Sequence, residues 1–188
     1  MSAIIGESDR ETYSHFLHRH NFAAWAAARA AQRRFPATVQ EIVDAIERSG
    51  LKTAVAATES YPSTSADFDQ FHRKYARKIV DQLKAGGVAS ATYGRAAKII
   101  AIYLKSMVVI GPLWDTPFVH LVHPPIDRIL LRNLARRHGL PSSLRQQCES
   151  INWTELSEDE YFDLINGFRQ AGLDKPAFWT LERYWKPS

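Results

Sequence analysis

From Ile99 to Val109 the chain is apolar almost without interruption. At helical spacing, Ile99, Ile100, Ile102, Tyr103, Leu104, Met107, Val108 and Val109 cover most of the circumference. Lys98, Ala101 and Lys105 share the one narrow gap that is left. A helix apolar nearly all round belongs in the middle of a domain, so other elements must surround it. It does not read as a membrane span, because Lys105, Gly111 and Pro112 break the run before it reaches bilayer length.

The surrounding pattern is helical, with no convincing strand, and predicts an all-α, compact, two-lobed domain of seven or eight helices. A first helix is expected over 9–34, with a break near Asn21. Its stretch from Ala23 to Ala31 is rich in alanine, which lets a neighbour approach closely. Thr38 with Glu41 forms a capping box, and Gly50 is the matching stop. A small-residue and proline loop over 54–65 marks the expected lobe boundary. Further helices are expected over 67–84, 94–109, 126–138 and 142–151. A long connector leads from Gly111 to Pro125. Ser157 with Glu160 makes a second capping box before a helix over 161–171. Asp174 is expected to cap a last helix, with Pro176 in its first turn. Residues 1–8 read as frayed.

At 188 residues and 45% apolar content, one core is affordable. The net charge of +4 permits contact with nucleic acid without requiring it. Cys148 is alone, which excludes an intramolecular disulfide and fits a reducing cytoplasm. Residues 1–10 lack the basic start and apolar run of a signal peptide. His120 and His123 are three apart, but nothing nearby completes a metal site, so neither metal nor cofactor is expected. No phosphate-binding loop, dinucleotide fingerprint or Ser-His-Asp pattern is present.

Two residues stand out. Lys98 follows a glycine-led turn, Tyr93-Gly94-Arg95-Ala96-Ala97-Lys98, and enters the apolar helix. In a cleft, low dielectric disfavours an ammonium, the condition a nucleophilic amine requires. The alternative is that Lys98 and Lys105 snorkel to solvent. Asp127 follows the prolines of His123-Pro124-Pro125-Ile126-Asp127 and falls on the face of Ile126, Ile129, Leu130, Leu131 and Leu134. A carboxylate among leucines needs partners. A helix-capping role supplies them and is compatible with a functional one. Arg128, Arg132 and Arg136 form a stripe on the other side, either a solvated face or a phosphate-binding one. The basic run Arg73, Lys74, Arg77 and Lys78 reads as a solvent face. Phe22, Trp25 and Arg29 share a face, with the aromatics read as core or as one wall of a base pocket. Phe178, Leu181 and Trp185 recur at core spacing.

The lysine and aspartate segments together resemble the helix-hairpin-helix DNA glycosylase superfamily over roughly Gly86 to Arg137. The family hairpin reads Leu-Pro-Gly-x-Gly-x-Lys. Here Gly94 stands for the first glycine and Lys98 for the lysine, with Ala96 and Thr92-Tyr93 as departures. Ile126-Asp127 and Arg132 resemble the family's Val-Asp-x-x-x-x-Arg stretch. The long spacing from Lys98 to Asp127 is most similar to the archaeal 8-oxoguanine glycosylase branch. The resemblance implies a monomeric enzyme that flips and excises a modified base from double-stranded DNA. That base would be oxidised guanine, in repair, or a hypermodified base of phage DNA, in antiviral defence. It implies Lys98 and Asp127 as catalytic residues, with AP-lyase activity if Lys98 is the nucleophile. Gly94, Arg95, Lys105, Arg128 and Arg132 would contact DNA, and Trp25 and His123 would line the base pocket. The alternatives are a non-catalytic helical DNA-binding module and a helical protein–protein adaptor.

Overall fold

The computed structural model describes residues 13–186, and the expected fraying of residues 1–8 lies outside them. Every regular element among the described residues is helical. Nine α-helices follow in order: α1 His15–Ala31, α2 Val39–Ser49, α3 Leu51–Ala56, α4 Ser65–Ala85, α5 Tyr93–Leu104, α6 Pro117–Leu121, α7 Arg128–Ala135, α8 Ser142–Ser150 and α9 Glu158–Gln170. A π-helical turn, Lys105–Val109, prolongs α5, and a 3-10 helix, Phe178–Tyr184, comes last. None of these helices is long and apolar enough to cross a membrane.

Local chemistry explains the boundaries. Both expected capping boxes form, Thr38 with Glu41 and Ser157 with Glu160, and a third, Thr64 with Asp67, starts α4. Each N-cap side chain satisfies an otherwise free N–H and contributes about 1 kcal/mol. Gly50 ends α2 in the left-handed region (φ 79°), as glycine readily can. The chain then turns directly into α3, whose last three residues fall in the loop expected over 54–65. Two other expectations change. The connector from Gly111 holds the short helix α6, begun by Pro117. The last element is a 3-10 helix whose N-cap is Ala177, so Asp174 does not cap it.

α5 is the central helix, with residues 93–101 all buried. α1 runs antiparallel to it, because Arg95 reaches the carbonyls of Ala31 and Arg34 while His20 bonds Tyr103. Ala23, Ala24, Ala27, Ala28 and Ala31 are all buried and bring the two backbones together. α4 and α9 cover other faces of α5, and α7 packs with α8. Residues 54–65 are pinned by Tyr61, whose ring stacks on Phe118 at 4.9 Å and whose hydroxyl donates to the Val55 carbonyl. One core cluster includes Leu51 and Phe68, on either side of this segment.

A candidate Lys–Asp site

Asp127 is the N-cap of α7, delivered in extended conformation (φ −150°, ψ 175°) by the buried stretch Val122 to Ile126. Its Oδ1 accepts the backbone N–H groups of Ile129 and Leu130 at 2.9 and 3.0 Å. The capping reading is therefore realised, and it uses one carboxylate oxygen only. The other oxygen, Oδ2, accepts the Lys98 ammonium at 3.0 Å and the Trp185 indole N–H at 2.9 Å. The Lys98 and Asp127 side chains are 11% and 8% exposed, so this is a buried ion pair. Such a pair persists only when hydrogen bonds offset the desolvation of both charges. Helix N–H groups and an indole N–H do that for the carboxylate. Lys98 also sits 4.7 Å from the centre of the Trp153 ring, where the π-face attracts the ammonium.

Trp153 is held there by the connection between α8 and α9. This connection crosses the first turn of α5 so closely that a Cβ on Gly94 would lie 1.9 Å from the Trp153 carbonyl oxygen. The Gly94 N–H donates to the Leu156 carbonyl at 3.0 Å, and the Thr92 hydroxyl donates to the Thr154 carbonyl. Glycine is required here for close approach. This corrects the expected DNA contact at Gly94, because its N–H is already used within the protein.

Other expected site residues are placed differently. Arg95 is 6% exposed. It points inward, stacks on Phe35 and donates to the two carbonyls at the end of α1, so it holds the fold rather than DNA. Lys105 pairs with Glu182 of the 3-10 helix. Trp25 is 52% exposed beside an equally exposed Phe22, so it is neither core nor the wall of a closed pocket. Trp185, expected in the core with Phe178 and Leu181, is 39% exposed while those two are buried. Arg73 and Arg77, read as a solvent face, both pair with Glu158. Arg128, Arg132 and Arg136 are exposed along α7, and none forms a salt bridge among the described residues. Residues 128–148 contain five arginines and no acid, so the helix begun by Asp127 leads into a positive surface.

His123 is fully buried in a second polar cluster, not in a pocket. It bonds the Tyr161 hydroxyl at 3.1 Å and lies 3.4 Å from Asp69, which Arg169 clasps with two bonds of 2.7 Å. Next to it, His72 bonds the Tyr93 hydroxyl and stacks on Tyr161. Burial pushes His123 down to about 4, against the pull of Asp69, and pushes His72 well below its ordinary value. Burial alone would raise Asp69, but bonds from Arg169 and His123 hold it at about 2. Only three residues separate His123 from Asp127, so this cluster anchors the segment that carries the catalytic candidate.

A cavity of about 350 Å³ opens between α4 and the α8–α9 connection, lined by Arg77, Lys84, Tyr93 and Glu155 among others. Neither Lys98 nor Asp127 lines it. Among the described residues, no group of three or more His, Cys, Asp or Glu side chains is arranged to hold a metal ion. Sequence reasoning missed Trp153 and Trp185 as neighbours of the Lys–Asp pair. Nothing in their spacing points to it, since both reach it across long stretches of chain. Comparison of the chain with protein-family models, curated proteins and solved structures finds no match.

Proposed function

We propose that this protein is a DNA N-glycosylase that excises a modified base, with Lys98 and Asp127 as its catalytic residues. The observation that carries the reading is the buried contact of 3.0 Å between the Lys98 ammonium and Asp127. Residues far apart in sequence meet there as an amine and a carboxylate, the pair that glycosidic-bond cleavage with an amine nucleophile requires. Transfer of the Lys98 proton to Asp127 leaves a neutral amine. The amine attacks C1′ of the deoxyribose, the C1′–N bond to the base breaks, and the base leaves with its electron pair and takes up the proton that the attacking nitrogen loses. Ring opening, with the proton held by Asp127 delivered to the ring oxygen, then gives a Schiff base and restores the carboxylate. In the hydrolytic variant, Asp127 takes a proton from water and Lys98 stays an ammonium. The acid-free arginine stretch beginning one residue after Asp127 supports a phosphate-rich partner. Flipping a base into the site costs a few kcal/mol, offset by contacts to the extruded nucleotide.

A second reading, a non-catalytic helical DNA-binding module, is favoured by the burial of the pair and by the arginine stripe on its own. Borohydride trapping on duplex DNA with an abasic site separates the two. The parent and Lys105→Ala should cross-link and Lys98→Ala should not. Free base released without any cross-link identifies the hydrolytic variant. DNA binding with neither leaves the binding module.

A further inference from the structure

Asp127 has about four hydrogen-bond directions to fill, and in this structure all are taken. Oδ1 holds two amides of α7, and Oδ2 holds Lys98 and the Trp185 indole. A water or hydroxyl that Asp127 is to activate needs one of those places. The amides leave only if the first turn of α7 unwinds. Lys98 stands mid-way along the buried α5, against Trp153. Trp185 differs: it follows the 3-10 helix and is 39% exposed. Leu181 is buried and fixes the near side of this turn. Beyond it, the turn is tied by side chains: Lys105 on Glu182, and Asn133 donating to the carbonyls of Tyr184 and Lys186 at 2.9 and 3.1 Å.

We infer that Trp185 is the exchangeable partner of Asp127, a positioning residue that donor groups entering with DNA displace. While the indole is bound, the carboxylate is held toward Lys98 and the pair is shielded. When a water or a sugar hydroxyl replaces it, Asp127 keeps its orientation through Oδ1 and gains a reactant at Oδ2. Lys105 then serves the site through Glu182 and the closing turn, not through phosphate. The inference rests on the DNA glycosylase reading for the identity of the displacing ligand. The exchange itself is a property of the free protein.

The test follows the Trp185 indole N–H by NMR in the ¹⁵N-labelled full chain, assigned by its loss in Trp185→Phe. In the free protein it should exchange with solvent by local opening, about 100-fold or more faster than the Ile129 and Leu130 amides on the same carboxylate. Glu182→Gln, which loosens the turn without touching the pair, should speed it further. Exchange at the rate of those amides overturns the inference. A duplex carrying a tetrahydrofuran abasic analogue should then shift the Trp185 signal. Trp185→Phe should bind that duplex about ten-fold more tightly, because no bond to a charged group has to be released. Binding with an unmoved Trp185 signal, or weaker binding by Trp185→Phe, also overturns it. If the parent and Trp185→Phe both fail to bind, the DNA reading fails, and the exchange rates in the free protein alone decide whether the indole is displaceable.

Discussion

Asp69 and Asp127 are both carboxylates in polar clusters inside the molecule, yet the two clusters are built in different ways. Asp69 is clasped by both terminal nitrogens of Arg169 and approached by His123, with His72 and Tyr161 stacked behind. Its partners are set in long helices or in the buried stretch before α7, and burial keeps both histidines neutral. Asp127 has four single-point donors, and one of them, Trp185, is itself 39% exposed. A bidentate guanidinium leaves little to exchange, whereas single-point donors can be replaced one at a time. Burial of an acid is thus a poor guide to its role. The ease with which its partners can be released separates a structural cluster from a candidate reactive one.

The sharpest way to break this comparison is to neutralise each acid in turn. Asp127→Asn should reduce base release or borohydride trapping by roughly 10²-fold or more. Asparagine keeps the helix cap, but the Lys98 ammonium is left buried without its counter-charge, so the melting temperature should fall as well. Asp69→Asn should differ in leaving the activity in place. It leaves Arg169 without its partner and should lower stability by about 2–3 kcal/mol, with activity per folded molecule retained. Denaturant titrations and single-turnover assays on both variants decide the matter. Activity of Asp127→Asn within a few-fold of the parent makes Asp127 a helix cap and nothing more.

Acid titration sharpens the contrast further. His72 and His123 are depressed in the fold, His123 to about 4, while an unfolded histidine titrates at about 6.5. Below 6.5 the unfolded chain therefore binds protons that the folded one refuses. The histidine contribution is whole above that pH and is lost as the pH falls toward 4. For His123 alone the loss reaches about 3 kcal/mol. Asp69, held at about 2, keeps its contribution until the pH drops below about 4. Urea midpoints measured at pH 7, 6 and 5 should fall steadily, and His123→Asn should flatten the trend. A midpoint that does not move over this range places charged histidines in the folded state.

The smallest expected effect concerns the surface next to Asp127. Replacing Arg128 and Arg132 with alanine should weaken binding to unrelated duplexes alike. The log–log salt slope should shrink by about 0.9 for each phosphate contact removed. An unchanged slope assigns the stripe to solvent and moves any DNA contact elsewhere.

Much of the fold was legible because its signals are local. Capping at Thr38 and Ser157, the stop at Gly50 and the alanine face of α1 each depend on residues within a few positions of one another. The same locality marked Asp127 as a first-turn acid. What misled were residues whose partners lie far along the chain. Arg95 looked free to meet DNA because its acceptors are carbonyls at the end of α1, and carbonyls carry no side-chain signature. Gly94 looked like an open turn because the strand of chain that covers it arrives about sixty residues later. Trp25 and His123, both expected to line one base pocket, lie apart in character, one on the surface and one sealed in the core.

The amino-acid pattern alone determined that the chain is helical, that α5 is central, and that Lys98 occupies its narrow polar gap while Asp127 opens α7. Helix periodicity and capping act over one or two turns, so they can be read along the sequence. Only tertiary packing decided that Lys98 and Asp127 touch, 29 residues apart, and that Trp185 joins them from 58 residues beyond Asp127. Those contacts depend on how buried faces stack and on where the chain end is laid, and neither is encoded in the spacing of any one segment.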